Sequence, residues 1–441
     1  MKKFWIILLV AALLFGIGCG NGTSEDGTVN SAEVPETDST EDTTAEPDTG
    51  TVDLGAKYTY YNGISYTSSV IVTADGYYYF GSSELLCYMD RESGYSTILC
   101  NRPECKHNSE DCNAYVGSLG SIWLYDEHIY FISLESSSEH GEWGMTSVFL
   151  CRMDLDGSNH EVLRDISEPN LFPDWEGDDL QYMQVFDTMS QRFFSHYLIY
   201  YANSTVYEYE DDLPIPYDVS YLLCLDLDHP DEAPQIINKV VRDESNNLVE
   251  GLTLSQFGCD DNGVYFSSVN RILIDGQRAK TTYLCSYYWD VESGTLTEIE
   301  VLNDIDISSN SPHLIENGYY YINDGSLLIT TFDGETTTLF PAGFFDGTKL
   351  QYAAPYFIVS YPEGETVRKA THMDIYDMEG KLVDTVSLEA ANNFALDIIA
   401  VTDDEILLMR QTRATYDRPP EYRIDKSQIG SGEIVLEVLD P

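Results

Sequence analysis

The sequence predicts an all-β chain built as a β-propeller, with seven four-stranded blades favoured and six or eight as the neighbouring counts. Three observations carry this. First, an aromatic strand behind a turn signal returns along the chain. It reads Asp75-Gly76-Tyr77-Tyr78-Tyr79-Phe80, Glu127-His128-Ile129-Tyr130-Phe131, Tyr197-Leu198-Ile199-Tyr200-Tyr201, Asn262-Gly263-Val264-Tyr265-Phe266 and Asn317-Gly318-Tyr319-Tyr320-Tyr321, with weaker copies at 356–359 and 404–408. Second, a turn rich in Asp and Gly recurs in step with it, at 90–94, 154–157, 226–228, 290–294, 332–334, 377–380 and 425–432. Asp accepts local backbone hydrogen bonds and Gly takes positive φ, which suits hairpins. Third, no long segment of 3.6-residue period competes with the short β-type runs. Repeats of this size, each too small to bury its own face, point to a radial array.

The chain opens with Lys2 and Lys3 and an uncharged apolar run over 4–17. That run is shorter than the ~20 residues of a membrane span and reads as a signal peptide, residues 1–19. Gly16-Ile17-Gly18-Cys19 resembles a bacterial lipobox, which makes Cys19 the lipidation site and the lipid the link to the membrane. The departure is Gly16, where that pattern usually has Leu. Ordinary cleavage or a retained anchor therefore stay as alternatives, and all three readings export the chain.

Residues 20–56 hold Ser, Thr, Gly, Pro and acidic residues, with no basic and no aromatic side chain. Such a segment buries too little apolar surface to offset its ordering entropy and reads as a disordered acidic tether. Residues 57–441 are the propeller. Its first repeat gives strands at 69–74, 77–81, 84–90 and 95–99, and its second at 120–125, 128–134, 147–154 and 160–164. The last repeat owns a fourth strand at 433–439, and residues 58–66 are expected to add beside it and fasten the ring. In the third repeat, 165–189 and 204–218 read as long loops, where function often resides. Trp175, Tyr207 and Tyr209 are the trial ligand contacts there; the bland alternative packs them on the adjacent blade.

Composition narrows the partners. With 23 basic against 75 acidic residues, the formal charge is −52. Such a chain repels phosphate backbones, so nucleic acid is not an expected partner.

The cysteines fall into two kinds. Cys87, Cys151, Cys224 and Cys285 each follow an apolar pair on the third strand of a repeat and read as buried, equivalent packing residues. Cys100, Cys105, His107 and Cys112 instead sit in a polar loop between the first two repeats. Three thiols and an imidazole can form a tetrahedral zinc site. An exported protein equally offers a local disulfide, and reduced, redox-active thiols are the third reading.

With repeats, lipobox and loop together, the chain resembles exported lipoproteins of gut-type anaerobic bacteria. These carry a propeller akin to the low-density-lipoprotein-receptor-related one, a domain of unknown function. The resemblance covers residues 57 to the end, and its most specific part is the Cys-x4-Cys-x-His-x4-Cys loop. It implies fold and export and brings no activity with it.

Two functions from different classes follow. One is a non-catalytic binding module at the cell surface, taking a glycan, a peptide or an envelope protein. The other is an extracytoplasmic hydrolase or lyase with carboxylates at the propeller channel. The chain lacks a Gly-x-Ser-x-Gly elbow, a His-Glu-x-x-His pair and a phosphate-binding glycine loop, which favours the first.

Overall fold

The computed structural model describes residues 58–60 and the chain from 70 to 439, apart from 82–84, 109–110, 117–120, 137–145, 168–182, 185–190, 211–212, 244–246, 275–277, 304–311, 346–347, 363–368 and 411–418. All of these lie in one compact unit, Val52–Pro441. Seven antiparallel sheets follow one another along the chain, apart from Tyr58–Tyr60, and make a seven-bladed propeller. Blade 1 is Val70–Val72, Gly76–Phe80, Leu86–Asp90 and Ser96–Ile98. Blade 2 is Ile122–Tyr125, His128–Ser136, Thr146–Asp154 and Glu161–Asp165. First strands of adjacent blades touch: Val70–Val72 meets both Ile122–Tyr125 and Leu396–Val401, the first strand of blade 7. The first strands are therefore innermost, as in other propellers.

The aromatic strand owes its composition to this arrangement. Gly76–Phe80 is buried at every residue because a sheet lies on each side. Tyr78 and Phe80 pack into an apolar cluster with blade 2, whereas Tyr77 and Tyr79 pack with Leu407 and Leu439 of blade 7. A strand with two dry faces reads as a continuous apolar run, not an alternation. The glycine before it is fixed by space: a Cβ on Gly76 would come 2.2 Å from the Met89 carbonyl oxygen.

Seven apolar clusters join the blades, each shared by two neighbours. An open row of seven sheets has one seam fewer. The extra one, between blades 7 and 1, shows that the ring is closed.

Three expectations need correction. Tyr58–Tyr60 pairs with Leu254–Asp260, the first strand of blade 4, and not with the last repeat. Blade 7 completes itself, since Glu437–Val438 already pairs with Tyr422–Asp425. Leu254–Asp260 is long for a first strand and offers an open inner edge. Second, residues 204–218 are not a loop. Tyr197–Glu210 and Leu213–Asp226 form one hairpin that stays in register to Glu210↔Leu213. Third, the repeat cysteines are not equivalent. Cys87 and Cys151 lie three residues before the turn Asp and face the preceding blade, but Cys224 lies two before Asp226 and faces blade 4. A one-residue shift along a strand turns a side chain to the other face. Cys285 is only half-buried, with its Sγ 3.2 Å from the Tyr287 hydroxyl.

Candidate metal centre

The loop that carries Cys100, Cys105, His107 and Cys112 interrupts the outer edge of blade 1. Leu99 N donates to the Leu86 carbonyl at 2.9 Å, and Leu86 N donates to the Ala114 carbonyl at 2.8 Å. Both feet of the excursion are thus fastened on one residue, and Leu85 bridges Tyr115 beyond them. Cys100 and Cys112 stand at the feet. Cys105 and His107 come from the turns above, where His107 takes a left-handed backbone with φ 52°. Further links tie one limb to the other: Arg102 Nη1 donates to the Asp111 carbonyl at 2.6 Å, and Asn113 Nδ2 to Asn101 Oδ1 at 3.2 Å.

This brings all four predicted residues together. One donor atom from each lies within 4.8 Å of the others, so the cluster could hold a metal ion. His107 Nδ1 is 3.4 Å from Cys112 Sγ. Cys112 is buried and the other three are half-buried, packed against Leu99 and against Ile129, Phe131 and Met153 of blade 2. No two of the eight described cysteines are joined to each other in the structure. Burial works to raise the Cys100 thiol, but the amides of Arg102 and Asn113 and the adjacent Cys112 and Cys105 outweigh it and hold it below its ordinary value. Burial, and after it the Cys105 and Cys100 sulfurs, push Cys112 up to about 12 against the Ala114 amide. The two shifts oppose each other: the thiolate, which is the form that binds metals, is favoured at Cys100 and disfavoured at Cys112.

A second group, His196, Asp226 and Asp228, also converges within 4.8 Å, in the turns of blade 3. Its carboxylates already accept from protein donors. Asp228 Oδ1 takes the Tyr125 hydroxyl at 2.7 Å, and Asp226 Oδ1 takes the Asp228 amide at 2.9 Å. Asp226 Oδ2 lies 3.2 Å from His229 Nδ1. The same habit explains the other Asp-rich turns, as in Ser93 N donating to Asp90 Oδ1 at 2.8 Å.

A third cluster escaped the sequence reading. Glu405, 2% exposed, lies at the seam of blades 7 and 1. Its Oε2 is 2.9 Å from Arg91 Nη2 and accepts from the Tyr77 hydroxyl at 3.1 Å, while its Oε1 has no hydrogen-bond partner. A pocket of about 310 Å³ opens beside it, lined by Arg91, Asp404, Arg423, Asp425 and Ser427. Glu405 stands opposite Asp425 as Gly76 stands opposite Asp90, a position held by His128 and Tyr197 in blades 2 and 3.

Of the trial ligand contacts, Trp175 lies outside the described residues, as does Cys19. Tyr207 and Tyr209 are on the hairpin of blade 3, opposite Pro216 and Pro214, with only their backbone described.

No family model matches the chain, and no curated protein matches it. Among solved structures it is similar to PorZ, a surface component of the type-IX secretion system of Porphyromonas gingivalis. The identity is 9% and the TM-score 0.38, over 87% of this chain and 39% of that one. It is also similar to Sqt1 of Saccharomyces cerevisiae, at 12% identity and TM-score 0.30 over 86% and 95%. A third is the polysaccharide lyase Uly1, at 11% and 0.26 over 71% and 90%. The chain thus spans about 39% of PorZ. At these scores the likenesses carry no argument; the seven-bladed ring rests on its own sheets and seams.

Proposed function

We propose that the chain is an exported lipoprotein whose ring is a non-catalytic binding module at the cell surface. In this reading residues 1–19 are the signal peptide and Cys19 carries the lipid. Residues 20–56 span roughly 30–36 Å as a flexible tether, at ~5–6 Å × √n. No helix among the described residues is long and apolar enough to cross a membrane. The acidic surface disfavours nucleic acid and leaves an envelope protein, a peptide or a glycan as ligand.

The observation that carries the binding role is an asymmetry of the second and third strands. Blades 3 and 4 extend them as Tyr197–Glu210 with Leu213–Asp226 and as Gly263–Ile274 with Arg278–Asp290. Blade 5 needs only Gly318–Asn323 and Ser326–Thr331. Residues 206–210 run about 17 Å past the last pairing of blade 3 with its fourth strand, at ~3.4 Å per residue. Two hairpins therefore stand up from neighbouring blades at the same end of the ring. Proline enters a sheet only where its nitrogen faces away from the partner strand, so Pro214 and Pro216 strip donors from the outer edge of the blade 3 tip. That edge is guarded against strand addition. Contact then falls to the hairpin side chains, with Tyr207 and Tyr209 as the trial aromatic contacts.

The Cys/His cluster enters this reading as a structural metal site. Four protein donors leave no open coordination position for chemistry.

The test replaces residues 206–217 by Asn-Gly, joining Thr205 to Asp218 through a two-residue turn. Wild type and variant are screened on glycan and peptide arrays beside a panel of hydrolase substrates. Ligand capture by wild type, lost in a variant that still folds, supports the binding role. Turnover that disappears when Glu405 or other seam carboxylates are changed moves the chain to the enzymes.

A further inference from the structure

We infer that the ion held by Cys100, Cys105, His107 and Cys112 is zinc, and that it closes the break in the outer edge of blade 1. This rests on the structural-metal reading of the cluster and is independent of what the ring binds. Tetrahedral zinc with Zn–S bonds of ~2.3 Å and a Zn–N bond of ~2.0–2.1 Å sets its sulfurs ~3.8 Å apart and its nitrogen ~3.5 Å from each sulfur. The 3.4 Å between His107 Nδ1 and Cys112 Sγ is such an edge, and every other donor pair lies inside 4.8 Å. A disulfide has no use for this geometry. It would join two sulfurs at ~2.05 Å and strand the third thiol beside an imidazole.

The donor set selects the metal. Thiolates and imidazole in a tetrahedron suit zinc, whereas calcium and magnesium require oxygen ligands. Arg102 Nη1 on the Asp111 carbonyl at 2.6 Å and Asn113 Nδ2 on Asn101 Oδ1 at 3.2 Å hold together the two limbs that carry these ligands.

The loop also needs a cross-link. Between the ligands it offers Asn101, Arg102, Pro103, Glu104, Lys106, Asn108, Ser109, Glu110 and Asp111, with no apolar side chain except the proline to fold around. Yet its feet must meet on Leu86 to continue the blade edge and pack on Phe131 and Met153. One ion gripping both feet and the crown supplies that order.

The experiment uses the full chain in detergent, purified anaerobically without reductant or chelator from zinc-replete cells. Elemental mass spectrometry gives metal per chain, and alkylation under denaturing conditions counts thiols. The expected result is about one zinc per chain, with Cys100, Cys105 and Cys112 all alkylated. Cys105→Ser and His107→Ala should lower zinc at least tenfold. His107→Cys should retain it, as should Cys151→Ser, which alters the same apolar cluster without removing a ligand. If the ligand variants do not fold, cobalt exchanged into wild type decides, through the intense visible absorption of a tetrahedral thiolate-rich site. A loop disulfide with no metal, iron in place of zinc, or zinc undiminished in Cys105→Ser overturns the inference. None of these readouts involves a ligand of the ring, so failure here leaves the binding role standing.

Discussion

The Tyr77 hydroxyl donates to Glu405 Oε2 at 3.1 Å across 328 residues of sequence. The contact ties the first blade to the last. Many rings close by sharing strands from both chain ends in one sheet, but blade 7 takes all four of its strands from its own repeat. Side chains therefore hold the seam: Tyr77 and Arg91 from one side, Glu405, Leu407 and Leu439 from the other.

Glu405 should make this seam sensitive to pH. Burial raises its carboxyl above the ordinary value, and Arg91, Tyr77 and Arg423 pull it back only in part. The folded state then holds the proton more tightly than the unfolded chain does. The stability this adds is present below the unfolded value and is lost as pH rises through the folded one. Glu405→Gln mimics the protonated acid. Relative to wild type, its melting temperature should therefore improve as pH climbs through and above the ordinary carboxylate range. A variant that falls steadily further behind wild type over that range would show that the arginines outweigh burial.

Arg91→Ala removes the cation that reaches Glu405 from blade 1. Breaking a fully buried pair costs about 3–5 kcal/mol, and with Arg91 29% exposed the expected loss is nearer to 2–3 kcal/mol. Denaturant unfolding measures it. A loss below ~0.5 kcal/mol would remove this pair from the closure.

Gly76→Ala should be among the more damaging single-carbon changes. Its Cβ would meet the Met89 carbonyl at 2.2 Å and the Tyr88 ring at 2.7 Å, and a backbone atom cannot swing aside. Overpacking of this kind costs roughly 1–3 kcal/mol. A shift in unfolding midpoint too small to measure would mean that the two strands are farther apart.

Cysteine-to-serine changes should separate by position. Cys151 is 1% exposed within the seam of blades 1 and 2, so a hydroxyl there loses roughly 1–3 kcal/mol. Cys285, half-buried beside the Tyr287 hydroxyl, should lose less than about 1 kcal/mol. Equal losses would restore the equivalence that the strand phases deny.

The blades were legible because a strand covered on both faces must be apolar throughout, and the hairpin turns need Asp and Gly at fixed points. Tyr77 to Phe80 and Asp90 to Gly94 announce themselves. The four residues of the Cys/His cluster were legible for the same local reason, standing within one short polar loop. What stayed hidden depends on distance or on phase. Nothing near Tyr58 points to Leu254–Asp260 as its partner strand. Cys224 differs from Cys151 by one residue of spacing to its turn, and that step exchanges one seam for the other. Arg91, Glu405 and Arg423 are ordinary charges until the ring brings them together.

Metal removal should be felt at one place. If zinc joins the feet of the loop, a chelator should speed amide hydrogen exchange at Leu86 and Leu99, whose N–H groups close the loop's feet on the blade edge. Exchange at Tyr320 and Ile358, in blades 5 and 6, should not change. Uniform acceleration would mean general unfolding, and no change would separate the loop from any metal.

X-ray absorption at the zinc edge of the purified full chain tests the centre most directly. Cys100, Cys105, His107 and Cys112 predict a first shell of three sulfurs at ~2.3 Å and one nitrogen at ~2.0–2.1 Å. A shell of oxygen and nitrogen alone, or no zinc edge at all, would contradict it.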